Sequence, residues 1–144
     1  MNDTKKKGNL TELQCMTAFM EIGAVVSIPF GEDSRYDFIA DINGKLLKIQ
    51  CKSSKEVLDD DGNVIAIAFK TVRMSGSNSK KHWRTKYSKD EIDYFSTFYN
   101  GVCYVVSVEE CSNEKRLRFV LPKQDKKNIN YAKDYDLKGV YEKL

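Results

Sequence analysis

A chain of 144 residues is long enough for one domain with one hydrophobic core and too short for two. It is 41% hydrophobic and 31% charged and has no apolar run near the roughly 20 residues of a membrane-spanning helix, so we expect a cytoplasmic protein without membrane contact. Four cysteines without C-x-x-C spacing and a single histidine argue against a zinc site, and a net charge of +3 cannot by itself establish nucleic-acid binding.

The first helical pattern follows a basic lead. We expect residues 1–8 to be flexible and a helix to cover 9–22, with Asn9 as N-cap. Its apolar face is predicted to consist of Leu13, Met16, Phe19 and Met20. Glu12 falls inside that arc, and a carboxylate turned toward a core needs a cationic partner because an unpaired buried charge is costly. Alternatively, Glu12 lies at the edge of the face and reaches solvent.

A strand and then a hairpin are predicted next. Residues 24–30 are typical of a strand, and residues 36–52 form two alternating runs joined by Asn-Gly, the strongest short hairpin signal. If Asn43 and Gly44 are the centre of a type I′ turn, the numbers of opposed residues always have the same sum. Asp37 is therefore predicted to face Gln50.

The two faces of this hairpin differ in chemistry. Because side chains alternate along a strand, Asp37, Gln50 and Lys52 are predicted to share one face. The other face is apolar and consists of Phe38, Ala40, Ile42, Leu47 and Ile49. Opposed Cβ atoms lie about 4.5–5.5 Å apart, which lets a carboxylate and an amide oxygen bind one hard cation such as Mg²⁺. The alternative is an ordinary amphipathic hairpin with a hydrated polar face.

A basic segment with aromatic residues follows a turn at 59–62 and a strand at 64–71. We predict that residues 73–87 form a loop that contacts DNA, since cations can meet phosphates and aromatic rings can pack on sugars or bases. The candidate DNA-binding residues are Lys80, Lys81, His82, Trp83, Arg84 and Lys86. The alternative is a solvated loop whose Trp83 folds back onto the protein.

The remainder of the chain completes an α/β pattern. Ser88 and Glu91 form a capping-box motif, and the apolar spacing that follows predicts a second helix over 89–99. Later segments are predicted as strands at 102–108 and 117–121 and a short helical or turn-like end at 129–137. These elements predict an α/β domain in which a mixed sheet is flanked by helices.

Several motifs carry a resemblance to a known family. Tyr36-Asp37 followed by Gln50-x-Lys52 resembles the metal-binding core of the PD-(D/E)XK nuclease superfamily. Tyr36 stands where the superfamily name has proline, and Gln50 stands where it has Asp or Glu. The neutral amide offers an oxygen without a charge, so a lower metal affinity is expected.

Further segments narrow the resemblance. Residues 28–37 are similar to the I-P-x-G-x-x-x-x-Y-D stretch of small PD-(D/E)XK endonucleases encoded in group I introns, which share the Q-x-K variant. Residues 91–95 and 130–135 resemble recurring segments of the same group. The resemblance therefore covers nearly the whole chain, and it implies a single restriction-endonuclease-like domain over residues 1–144.

The resemblance also implies a catalytic site. Asp37 and Gln50, with the Cys51 carbonyl, would hold Mg²⁺, for which Mn²⁺ could substitute. Lys52 would position or deprotonate the attacking water. Glu12, which resembles the first-helix glutamate of many members, would orient Lys52 or a water.

The implied activity is Mg²⁺-dependent hydrolysis of DNA, most simply by a site-specific, homing- or restriction-like endonuclease. The substrate would be double-stranded or branched DNA. Because one subunit has one site, a double-strand break implies a homodimer or homotetramer. The alternatives are a nuclease similar to Holliday-junction resolvases, and a catalytically inactive nuclease fold that binds DNA or protein.

Overall fold

The computed structural model describes residues 3–75, 83–123 and 128–144. The predicted mixed α/β architecture is confirmed. The elements are α1 (Asp3–Glu21), β1 (Val25–Ser27), β2 (Phe38–Ile42), β3 (Lys45–Cys51), β4 (Lys55–Leu58), β5 (Val64–Lys70), β6 (Val72–Ser75), β7 (Trp83–Lys86), β8 (Tyr94–Tyr99), β9 (Val102–Ser107), β10 (Glu114–Arg118) and α2 (Leu137–Val140). Helical turns cover Val108–Glu110, Ala132–Tyr135 and Tyr141–Lys143.

The strands form three sheets. The largest has the order β1-β2-β3-β8-β9, in which β3 and β8 are parallel and the other neighbours are antiparallel. A three-stranded antiparallel sheet has the order β10-β5-β4, and β6 and β7 pair as a ribbon. The β2–β3 hairpin thus lies inside the main sheet, with β3 at its centre.

The register of that hairpin is the predicted one. Asn43 and Gly44 have φ angles of 54° and 87°, as a type I′ turn requires, and Ile42 pairs with Lys45. The pairing continues to Phe38 opposite Ile49. Because each step along the strands reverses the face, this register buries the predicted apolar side chains of Phe38, Ala40, Leu47 and Ile49.

The first helix differs from its prediction in start and in face. It begins at Asp3, so Asn9 lies in its interior and is not the N-cap. The buried row is Thr11, Cys15 and Phe19, whereas Leu13 and Met20 are 59% and 62% exposed. The small side chains of Thr11 and Cys15, four residues apart, allow the helix to lie close to the sheet. One turn further on, the Phe19 ring meets the Phe38 ring edge-on, with 5.4 Å between ring centres.

The predicted second helix over 89–99 is wrong. The capping motif does form, because Ser88 N and Oγ donate to Glu91 Oε1 at 3.0 and 3.1 Å, but the chain makes only one turn before strand β8. Residues 95–97 are all buried, so both faces of β8 are covered. A strand buried on both faces lacks the alternation that distinguishes a strand from a helix in a sequence.

Two cores cover the two faces of the main sheet. α1 packs on one face against Phe38, Ile49 and Val105. The three-stranded sheet packs on the other, where Phe95 and Val106 meet a cluster that includes residues of β5 and β10. Strand β10 begins three residues before the predicted strand at 117. None of the helices within 3–75, 83–123 and 128–144 has both the length and the apolar composition to cross a membrane.

Candidate active site

The predicted catalytic residues meet at the end of the β2–β3 hairpin opposite its turn. Asp37 directly precedes β2, Gln50 and Cys51 end β3, and Lys52 follows it. The Lys52 N–H donates to the Ser96 carbonyl at 2.9 Å, which extends the parallel pairing of β3 with β8 by one residue. Neighbouring strands on both sides therefore fix the backbone of this site.

At Asp37 the hairpin departs from the predicted pairing. The Asp37 N–H donates at 2.8 Å to the carbonyl of Ile49, which is already the partner of Phe38. Two residues of one strand thus face one residue of the other, which is the geometry of a β-bulge, and Asp37 is not directly opposed to Gln50. The Asp37 carboxylate takes over the role of a backbone acceptor, because its Oδ2 accepts from the Cys51 N–H at 2.7 Å.

Helix α1 brings Glu12 to this site. Thr11 Oγ1 lies 3.2 Å from Ser53 Oγ, and Lys7 Nζ donates to the Ser54 carbonyl at 3.1 Å. These contacts fix the helix on the segment directly after Lys52. Glu12 is partly buried there, and burial, with the charge of Asp37 as a smaller cause, raises the pKa of its carboxyl group.

The pKa of Asp37 is also raised. Burial is the largest cause, and it is opposed by the hydrogen bond from the Cys51 N–H and by the positive charge of Lys52. Two carboxyl groups that are partly dehydrated and repel each other bind a cation, or retain a proton, more readily than separate groups in water. The site therefore stores an electrostatic penalty that a bound cation would relieve.

We expect Asp37→Asn to stabilise the metal-free protein and to weaken divalent metal binding by at least about tenfold, since even outer-shell partners of metals contribute 10–100-fold. A raised pKa in the folded state means that stability falls as pH rises from the unfolded value through the folded value. In Asp37→Asn the decrease of stability with rising pH should be much smaller, because the asparagine amide does not ionise. Its oxygen can still accept the hydrogen bond from the Cys51 N–H. Urea unfolding in EDTA between about pH 4 and 7 measures it.

Asp93→Asn is the matched control for this experiment. Asp93 Oδ2 accepts from the Lys48 N–H of the same strand at 2.8 Å, so this variant also replaces a carboxylate that binds a β3 amide. It should leave metal binding unchanged. If Asp37→Asn were less stable than the wild type at every pH, the stored electrostatic penalty would be disproved.

The Gln50 side chain and the Cys51 carbonyl fit a hard-cation site by their chemistry. The N–H and the carbonyl of one residue in a strand point to the same edge of that strand. Because the Cys51 N–H points to Asp37, the Cys51 carbonyl points to the same side as Asp37. Gln50 Nε2 lies 3.5 Å from the Cys51 carbonyl oxygen, so rotation of the amide would present its oxygen beside that carbonyl. Carboxylate, amide and carbonyl oxygens are the donors that Mg²⁺ accepts.

This donor set contains few charges. Within the described parts of the chain, no three His, Cys, Asp or Glu side chains group closely enough to hold a metal ion. Asp37 would be the one charged donor, and the neutral oxygens of Gln50 and Cys51 would supplement it. A mainly neutral donor set is consistent with the lower metal affinity expected from the sequence.

Two residues that were not among the predicted catalytic residues, Tyr87 and Arg35, form a group of contacts with Lys52. The Tyr87 hydroxyl accepts from Lys52 Nζ at 3.3 Å, and the Arg35 guanidinium lies 4.2 Å from the centre of the Tyr87 ring. Arg35 Nη1 forms an ion pair with Glu91 at 2.6 Å, and the Phe95 ring meets Tyr87 at 5.3 Å. The position of Tyr87 depends on the turn between β7 and β8, which local sequence patterns do not reveal.

The basic segment is in part a β-ribbon and not the predicted loop. Lys80, Lys81 and His82 lie outside the described residues. Trp83, Arg84 and Lys86 belong to β7, which pairs antiparallel with β6. In β7 the cationic residues Arg84 and Lys86 alternate with the strand-favouring residues Trp83 and Thr85. The loop was predicted from the Ser- and Gly-rich start of the segment.

Three comparisons with known proteins bear on this site. A family model described as PD-(D/E)XK endonuclease matches residues 2–138. A bacterial homing endonuclease, I-Ssp6803I, has a similar structure, with a TM-score of 0.75 and 24% sequence identity over 99% of each chain, and this likeness shows a shared fold. A search among functionally curated proteins gave no match. Because the family model spans nearly the whole sequence, including all five site residues, the chain belongs to the PD-(D/E)XK endonuclease family.

Proposed function

We propose that the protein is a Mg²⁺-dependent DNA endonuclease that cleaves phosphodiester bonds at specific sites. Members of its family are nucleases that generally use divalent metals, and the specific ion, substrate and residues are our inference. The proposal rests on one observation. Fold elements far apart in sequence bring two partly buried carboxylates, Glu12 and Asp37, to the same strand end as Lys52.

The metal ligands in this proposal are Asp37, Gln50 and the Cys51 carbonyl. Mg²⁺, or Mn²⁺ in its place, would neutralise charge on the phosphate and orient the nucleophile when bound. Asp37 contributes the single negative charge of the ligand set. The Cys51 N–H holds that carboxylate in one orientation, so little reorganisation is needed on binding.

Lys52 and Glu12 act on the water and on each other. We infer that the Lys52 amine positions or deprotonates the attacking water and that its charge offsets the negative charge that develops on the phosphate. In this proposal Glu12 orients Lys52 or the water from helix α1, which is held at the site by the contact of the neighbouring Thr11 with Ser53. A carboxylate and an amine on two sides of one water restrict its direction of attack.

The β6–β7 ribbon is the proposed DNA-binding element. A two-stranded antiparallel ribbon fits the major groove of B-DNA, and this one carries Arg84 and Lys86 directly before Tyr87 at the site. Lys80, Lys81, His82 and Trp83 would extend the contact. One site per chain means that both strands of a duplex are cut only by two copies, so the proposal includes a homodimer or homotetramer of single-domain subunits.

Cleavage assays on a panel of substrates test the proposal. The protein should cut duplex DNA in Mg²⁺ or Mn²⁺ and be inactive in EDTA, and products from a random-sequence library should share a sequence at their ends. Preferential cutting of four-way junctions would instead identify a resolvase. Tight DNA binding without cleavage in either metal would identify an inactive binding module.

A further inference from the structure

The Tyr87 side chain links Lys52 to a fixed arginine. We propose that Tyr87 is a positioning residue that holds the Lys52 amine at its working position, and that Arg35 in turn holds Tyr87. The inference rests on the proposed role of Lys52 in hydrolysis. It extends that proposal to two residues outside the proposed set of metal ligands.

The Lys52 side chain needs a fixed partner if it is to act on the attacking water. A lysine amine is a point charge on a flexible four-carbon stem, so a fixed partner is needed to hold it within a fraction of an ångström. Tyr87 supplies two contacts, because its hydroxyl accepts from Lys52 Nζ at 3.3 Å and its ring centre lies 5.1 Å from the same atom. The hydroxyl fixes direction, and the ring face adds attraction without competing for water.

Tyr87 is itself held on several sides. The Arg35 guanidinium carbon lies 4.2 Å from the ring centre, and the Phe95 ring meets it edge-on at 5.3 Å and 89°. Two cations, Arg35 and Lys52, thus share one aromatic ring. Because like charges repel each other, placing both cations against one ring has an electrostatic cost.

Arg35 gives a second sign of functional constraint. Its Nη1 pairs with Glu91 at 2.6 Å, while its Nε and Nη2 are buried and have no hydrogen-bond partner among the described residues. Unpaired buried N–H groups are costly, and a surface arginine would normally turn them to water. Glu91 also accepts from Ser88, the neighbour of Tyr87, which closes a ring of contacts around the tyrosine.

The consequence is a defined effect on the chemical step. A misplacement of about 1 Å in a catalytic group can cost on the order of 10²-fold in rate. We therefore expect Tyr87→Phe to lower the single-turnover rate of cleavage by about 10- to 100-fold at saturating DNA and Mg²⁺. The phenylalanine ring retains the contacts with Arg35 and Phe95, so the melting temperature, the DNA Kd and the Mg²⁺ concentration for half-maximal rate should stay unchanged.

Tyr135→Phe is a matched control. The Tyr135 hydroxyl donates to Asn130 Oδ1 at 2.9 Å, and Lys115 Nζ lies 5.3 Å from its ring, so it reproduces both kinds of contact away from the site. Its single-turnover rate should equal that of the wild type. A Tyr87→Phe rate within about twofold of the wild type, or an unchanged rate with weaker DNA binding, would overturn the proposal.

Arg35→Met tests whether Arg35 holds Tyr87 in place. It keeps much of the side-chain length but removes the charge and the stack, and it should slow the chemical step because Tyr87 is released. Combined with Tyr87→Phe it should add little, since the hydroxyl that Arg35 holds in place is already absent. Additive effects would show that Arg35 acts independently of Tyr87. Lys52→Ala and the wild type separate the failure of this inference from the failure of the proposed function. Full activity in Lys52→Ala would refute the role of Lys52 and with it this inference, whereas a wild type that cuts no DNA in Mg²⁺ or Mn²⁺ would refute the proposed function itself.

Discussion

Lys52→Ala is expected to lower the single-turnover rate of DNA cleavage by about 10²–10⁴-fold, the usual contribution of a positioned acid or base. The fold and DNA affinity should change little, because the Lys52 backbone, and not its side chain, makes the sheet contact with Ser96. Quench-flow measurement of cleavage, with DNA binding measured in Ca²⁺, separates the two effects.

Lys48→Ala is the control for that experiment. Lys48 lies on β3, four residues before Lys52, and its side chain donates to the Asp90 carbonyl. A general loss of positive charge from this strand would slow both variants, whereas the proposed role of Lys52 predicts a large effect in one alone. Retained turnover in Lys52→Ala would remove this residue from the mechanism.

Substitutions of Gln50 are expected to have opposite effects that depend on oxygen and charge. Gln50→Glu keeps the size of the side chain and adds the carboxylate found in the family name, so the Mg²⁺ concentration for half-maximal cleavage should fall by about tenfold. Gln50→Leu keeps bulk but offers no oxygen, and it should be inactive. Metal titration of the cleavage rate in the three proteins measures both effects.

Gln14 provides the comparison for these variants. Gln14 is partly buried on α1 and lines a cavity of about 390 Å³ that Lys52 does not line. Gln14→Glu and Gln14→Leu therefore make the same side-chain changes outside the candidate site. They should leave the Mg²⁺ requirement unchanged. Identical metal requirements in wild type, Gln50→Glu and Gln50→Leu would instead make Gln50 a hydrated strand residue outside the site.

The hairpin could be predicted from sequence because its determinants are local. Asn43 and Gly44 accept positive φ angles, and alternation on both sides then fixes which residues are buried. The prediction ended at Asp37, where a side-chain hydrogen bond to Cys51 replaced a backbone one. The alternation of polar and apolar residues does not show where a side chain replaces the backbone as hydrogen-bond acceptor, so the bulge was not predictable.

Strand β8 could not be predicted because its determinants are distant. Ser88 to Ile92 have a genuine helix-start pattern, and isolated from the protein they would favour a helix. Parallel pairing with β3 and burial on both faces override that local preference. The contact of Tyr87 with Lys52 was not predictable for the same reason, since only the folded turn brings the two residues together.

The parallel pairing of β3 with β8 also bears on the order in which the protein folds. The β2–β3 hairpin closes through two residues and can form within about 1–10 μs. Gln50 meets Phe95 only after the whole intervening segment is arranged, and contacts of such long sequence separation form late. Asp37 and Gln50 can therefore come together in a partly folded chain, whereas Lys52 is fixed by Ser96 and Tyr87 at the end. Under this order a nascent chain brings together its proposed metal ligands before it fixes the proposed catalytic lysine, so incompletely folded copies of the proposed nuclease would leave DNA intact.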